Sequence, residues 1–378
     1  MNKSIYILFY LMLFISCKKQ QETKHEEINT SKNSKIEYAK GFDISYQEGY
    51  KIITLKNAWP GTKKVFKYAL IEEATILDFP EQYDAIVTIP IKNIVVTSTT
   101  HIPSLEMLAV DQTLIGFPNL DYISSKKTRE RINKGLIKEL GKNEDINTES
   151  LIELSPDVVI GFAVDGNNKT FNTLKKTGIP VLYNGDWTET SPLGKAEWIK
   201  FFAAFYNKEG LANKLFSEIK TAYLNAKKIA LKAKKKPTVL SGAMYKDIWY
   251  LPQGKSWAAQ FIADANGKYL WSDSEGTGSH SLNLESVLEK GEQAQFWIGP
   301  SYYTTMKQLK EAHAVYKQFD AFKNDQVYNF THKVGDTGGL LYFELAPNRP
   351  DIVIKDIIKI LHPELLPNHN LYFFDQLK

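Results

Sequence analysis

One short pattern occurs twice in the chain, and it constrains the fold more than any other feature. Residues 147–161 read NTESLIELSPDVVIG, and residues 283–299 read NLESVLEKGEQAQFWIG. Both begin with Asn, one variable residue and Glu-Ser, run through Leu- or Ile-containing positions to a second Glu, and end in an apolar strand closed by Gly. The leading glutamates, Glu149 and Glu285, are 136 residues apart. An Asn in this position caps a helix by accepting a hydrogen bond from its first turn, and a Glu just inside complements the positive end of the helix dipole. Each short helix then feeds a buried strand, which is the cadence of an α/β domain. Two copies predict two similar lobes, each presenting an acidic helix tip, with something bound between them.

Length supports two cores. The 378 residues are 43% hydrophobic and 12% aromatic, enough to bury two medium-sized interiors. A net charge of +4 is mild and spread along the chain, so no nucleic-acid partner is indicated. The only arginines are Arg129, Arg131 and Arg349, which leaves few bidentate clamps for carboxylates or phosphates. A single cysteine, Cys17, excludes an internal disulfide framework and a multi-thiolate metal site.

Residues 1–17 combine a short basic start with an apolar run over 5–15, too short to span a bilayer as a mature helix. The Phe-Ile-Ser-Cys at 14–17 resembles a lipoprotein signal. That resemblance implies cleavage before Cys17, lipidation of its thiol and a lipid-anchored protein on the periplasmic side of the cell envelope; the alternative is a non-lipidated secretory signal. Residues 18–35 are polar, lysine-rich and without apolar period, and read as a flexible tether.

The fold expected is α/β, two Rossmann-like lobes joined by one long α-helix, with extra N-terminal β-strands. The first lobe spans 36–190, the connecting helices 191–236 and the second lobe 237–378. Ligands in open α/β sheets usually bind at the carboxyl ends of the strands, which makes His101, after the strand at 94–97, a candidate contact. Trp187 occupies a corresponding loop after the strand at 181–183. In the connector, apolar residues recur at helical spacing, and a helix over 209–235 would be about 40 Å long. The second lobe places Tyr245, Trp249, Tyr250, Trp271, Tyr302, Tyr303 and Tyr342 in segments assigned to the ligand edge. Aromatic rings offer broad contact at little entropic cost and suit a large, partly apolar ligand.

No nucleophile elbow, phosphate-binding loop or HExxH zinc motif occurs, so no catalytic residue and no cofactor is expected. The seven histidines lack ligand spacing; a metal receptor would have to assemble His101 and His280 from separate loops, and no resident metal site is expected.

With its repeat, long connector and signal, the chain resembles substrate-binding proteins of the cobalamin and iron-siderophore class that serve ABC importers. The resemblance covers residues 91–361 and is most specific in NTESLIELSPDVVIG; in NLESVLEKG, Asn283 stands where the family has Ser, and Gly291-Glu292 replaces the usual Pro-Asp. It implies a monomer that binds a ferric siderophore, cobalamin or haem between its lobes. It also implies that Glu149 and Glu285 dock onto arginines of a permease dimer. Scarce arginine disfavours strongly anionic chelates, and residues 36–90 have no counterpart in the resemblance. A lipid-anchored enzyme or sensor on the same fold is the competing expectation.

Overall fold

The structure, a computed structural model, describes residues 33–72, 82–166 and 168–378. The expected signal at 1–17, with Cys17, and the tether up to residue 32 lie outside the described residues. Among the described residues no helix is long and apolar enough to cross a membrane.

The first lobe is built on a five-stranded parallel sheet in the spatial order Val181–Tyr183, Val158–Gly161, Ile94–Val96, Leu114–Phe117, Lys138–Glu139. Counted by occurrence in this sheet, the strands lie in the order 3-2-1-4-5, the Rossmann arrangement. Val158–Gly161 is buried at every position, as a parallel strand covered on both faces requires. Gly161 is obligatory there, because an added Cβ would meet the Phe171 ring at 2.1 Å.

The second lobe has its own five-stranded sheet, ordered Lys268–Tyr269, Thr238–Ser241, Phe296–Ile298, Val327–Asn329, Asp375–Gln376. The last strand is antiparallel, and the order is 2-1-3-4-5, the other common doubly wound arrangement. In both lobes the repeated Asn-capped helix precedes the strand that lies beside the lobe's first strand at the point where the order reverses. A three-stranded antiparallel sheet, Ala243–Tyr245, Ile248–Pro252 and Ser279–Leu282, is added to the second lobe.

The N-terminal strands form a fourth layer. Phe42–Gln47, Tyr50–Leu55 and Phe66–Glu72 are antiparallel, and Ala85–Ile89 joins parallel to the third. Alternate residues Phe42, Ile53, Leu55 and Tyr68 face inward and merge with the first-lobe core. The Tyr183 N–H donates to the Tyr68 hydroxyl at 3.0 Å, tying this layer to the edge of the parallel sheet.

Helices Pro192–Glu197, Ile199–Ala204 and Glu209–Ala230 form the connector. The last has 22 residues, about 33 Å of axis, and ends earlier than residue 235. The five residues before Pro237 are Lys-Ala-Lys-Lys-Lys, where like charges at helical spacing repel and the proline disfavours helix in its predecessor. Glu209 at its start pairs with Lys51 of the N-terminal sheet, while Tyr223 further along donates to Asp264 of the second lobe at 2.6 Å. The helix thus contributes to both hydrophobic cores, one holding Ala212 and Phe216, the other Tyr223 and Ala226.

Residues 34–41 form a strap across the connector. The buried Glu197 carboxylate accepts backbone N–H groups from Glu37 at 2.9 Å, Tyr38 at 2.6 Å and Ala39 at 2.8 Å, and Lys200 neutralises it at 2.7 Å. Glu189 accepts from Lys40 at 2.8 Å and Gly41 at 2.7 Å. Ser34 and Lys35, at the end of the expected tether, dock on the connector, the Ser34 hydroxyl donating to Asn213 at 3.0 Å and the Lys35 carbonyl accepting from Lys200 at 2.7 Å.

Candidate ligand cleft

The carboxyl edges of the two sheets frame a cavity of about 390 Å³. Thr97, Ser98 and Thr99 follow the first-lobe strand Ile94–Val96, and Phe162 follows Val158–Gly161. These two strands flank the reversal of strand order, where diverging loops leave a crevice. Phe117, Pro118, Tyr122 and Asn143 complete the first-lobe wall; Tyr302, Gly338, Gly339, Leu340 and Phe343 supply the second. No charged side chain is among them. Burying a bare charge against such a wall would be costly, whereas an uncharged ligand with flat apolar surface loses little. Tyr122 and Tyr302, one from each lobe, are 63% and 72% exposed.

The lobes touch beside this cavity. Ser104 donates to the Asn348 side chain at 2.8 Å, and Asn348 donates to the Thr100 carbonyl at 3.0 Å. The Ser124 N–H donates to Glu344 at 2.6 Å. Gly339 allows the approach, since a Cβ there would lie 2.4 Å from the Tyr122 carbonyl oxygen. Burial pushes the Glu344 carboxyl up to about 7, reinforced by Glu106 across the contact and opposed by the Ser124 and Ser125 N–H groups.

The sequence candidates divide. Tyr302 lines the cavity. Tyr303 is half-buried, edge-on to Tyr316 at 6.3 Å, and Trp187 is 38% exposed but outside the cavity wall. His101 must be corrected: it is fully buried at the start of helix His101–Met107, beside the Phe202 ring at 5.2 Å. Burial lowers its pKa against the pull of Asp186, and neither ring nitrogen has a partner among the described residues. Trp249 is likewise a core residue. It belongs to a strand whose side chains alternate between faces, and it stacks on Trp297 at 5.4 Å. Tyr245 and Tyr250 emerge on the outer face of that sheet, away from the cavity wall. Trp271 and Tyr342 are also buried, Tyr342 stacked on Phe330 at 4.3 Å.

The residues that sequence reasoning missed, Tyr122, Phe162 and Phe343, lie in loops or on a short helix with no periodic signal.

The two acidic tips share one construction. Asn147 accepts from the Ser150 N–H at 2.9 Å, and Asn283 accepts from the Ser286 N–H at 2.8 Å. Glu149 and Glu285 occupy the first turns of helices Thr148–Leu154 and Leu284–Gly291 and are exposed.

Among the described residues no group of three or more His, Cys, Asp or Glu could hold a metal ion. A larger hollow of about 870 Å³ lies between the N-terminal sheet and the connector. It faces no carboxyl edge of a parallel sheet, and Lys51, Glu72, Lys208 and Glu209 line it.

Comparison with known proteins agrees with this architecture. Residues 94–334 match the family described as periplasmic binding protein. An uncharacterized lipoprotein of Methanocaldococcus jannaschii is 30% identical over 298 residues, covering 76% of this chain and 69% of its own length. A possible iron-binding (periplasmic solute-binding) protein from Staphylococcus epidermidis has a similar solved structure, with TM-score 0.58 at 18% identity, covering 72% of this chain and 99% of that one. A periplasmic binding protein from Veillonella parvula reaches TM-score 0.58 at 15% identity and covers 87% of this chain and 98% of its own. That span reaches back before residue 91, beyond the region of the sequence resemblance. The matched region runs from the first lobe across the connecting helix into the second, and the chain belongs to the periplasmic binding protein family.

Proposed function

We propose that this protein is the lipid-anchored solute-binding component of an ABC importer, capturing a ferric siderophore or a similar large iron chelate between its lobes and delivering it to the permease. The observation that carries the reading is the cavity wall itself, which is contributed by both lobes, aromatic and free of charge. An uncharged hydroxamate-type chelate fits such a wall; an anionic catecholate or citrate complex would lack arginine partners. The proposed lobes are 36–190 and 237–378, with Cys17 carrying the lipid on the periplasmic side and the protein acting as a monomer. Cobalamin and haem are the other ligands to be tested.

Titration with a ferric trihydroxamate, cobalamin and haem, followed by tryptophan fluorescence, tests this directly. We expect saturable quenching by the ferric hydroxamate; a response only to cobalamin or haem replaces the ligand, and no response to any of the three removes the reading.

Delivery is assigned to Glu149 and Glu285. Both are exposed at matching places in the two lobes, and each faces a second Glu four residues on, Glu153 and Glu289, on its own helix. Such like-charge pairs cost an isolated helix about 0.2–0.5 kcal/mol each, which a basic partner would offset. Glu149→Lys with Glu285→Lys should abolish uptake while ligand titrations stay unchanged. Uptake that survives both reversals rejects the docking role.

A further inference from the structure

The first-lobe reversal point opens into the cleft; the second lobe has a reversal point of its own, between Thr238–Ser241 and Phe296–Ile298. Just outside the carboxyl ends of these strands lies a separate cavity of about 230 Å³. Ser241 and Gly242 border it from one strand end, Ile298 and Gly299 from the other. The remaining wall is mainly aromatic: Trp257, Phe261, Phe330, Tyr342, Phe343 and Phe374. No charged residue lines it. Two polar groups at its rim are already paired: the Ser241 hydroxyl donates to the Ile298 carbonyl at 2.8 Å, and the Trp297 indole N–H donates to the Gly242 carbonyl at 2.8 Å. Phe343 is 46% exposed and lines both this cavity and the interlobe cleft.

Size decides what can enter. An apolar cavity of about 150 Å³ takes a benzene molecule and otherwise stays dry, whereas whole drug-sized ligands need roughly 300–1,000 Å³. The second-lobe cavity falls between, large enough for one ring with a small substituent and too small for a macrocycle or a whole chelate. Ring walls favour edge-to-face and offset contacts with an aromatic guest.

We propose that this cavity is a subsite for a single uncharged aromatic ring, carried as an arm of the ligand that occupies the interlobe cleft and reaching it past Phe343. The inference rests on the cleft reading for the rest of the ligand, and it narrows the ligand class to chelates bearing an aryl arm.

Toluene is the probe, because it represents the arm without the chelate. Ligand-observed NMR of the wild type should show saturable toluene binding. Ala258, which lines the cavity on helix Trp257–Asp264, is the position at which to fill it. Ala258→Trp should abolish toluene binding and Ala258→Leu should weaken it, with unchanged thermal melting confirming that both fold. In the wild type, a ferric hydroxamate carrying an aryl arm should bind roughly tenfold or more tightly than the same chelate without it, and this preference should collapse in the filled variants. If Ala258→Trp does not fold, the graded loss in Ala258→Leu carries the same decision. Absence of saturable toluene binding, or equal binding by wild type and filled variants, overturns the inference even where chelates bind the cleft. Toluene binding that responds to Ala258 while no chelate binds supports the subsite as an aryl pocket, and the cleft reading is then what fails.

Discussion

Glu344 is the side chain whose ionisation should be most visible in solution. It is 2% exposed, faces Glu106 across the lobe contact, and holds its proton up to about 7 instead of the ordinary 4.5. Because the folded pKa lies above the unfolded one, its contribution is fully present below pH 4.5 and is lost as pH rises through about 7. The cost of ionising it in place is on the order of 3 kcal/mol. Urea denaturation across this window should show wild-type stability falling with pH, while Glu344→Gln stays flatter. Parallel profiles for the two proteins would place the pH dependence elsewhere. Trp249 tests a different kind of placement. Its ring is fully buried between Trp297, Tyr316 and Phe319, so Trp249→Ala should cost about 3–5 kcal/mol of stability. A loss of ligand affinity with no change in melting would instead return Trp249 to the cleft.

The repeated helices are where sequence and structure agree most closely, and the reason is local. Asn147 and Asn283 bond within their own first turns, so the signal needs no tertiary contact to be read. Asn147→Ala and Asn283→Ala should each destabilise by about 1 kcal/mol and add in the double variant, since the sites lie in separate cores. A strongly non-additive result in urea denaturation would mean that the two tips are coupled. The central parallel strands Ile94–Val96 and Val158–Gly161 were equally legible, because a strand buried on both faces is an unbroken apolar run. What escaped were features decided by partners distant in sequence. The segment around Trp249 reads as a loop until its pairing with Ala243–Tyr245 and Ser279–Leu282 sends alternate residues to opposite faces. The cavity wall likewise depends on Phe343 lining the same space as Tyr122 and Phe162 of the other lobe, a juxtaposition that no local pattern encodes.

Across the molecule, the helix Glu209–Ala230 belongs to both cores and packs along Pro350–Leu361. Wide opening would have to break one of those interfaces. Ligand binding should therefore change the radius of gyration by less than about 1 Å in a total of about 20 Å, measured by small-angle X-ray scattering. A change of several ångströms would reveal a hinge that the helix does not restrain.

The strap held by Glu197 and Glu189 holds residues 34–41 at the connector between the lobes and not at the end of either lobe. With the lipid proposed on Cys17, fifteen residues lie between it and Asn33, a span that cannot exceed about 55 Å. Any permease inside that radius meets the protein at a millimolar local concentration. On the docking proposed for Glu149 and Glu285, a feeble grip between complementary charges would then suffice for hand-over and would let the emptied carrier go.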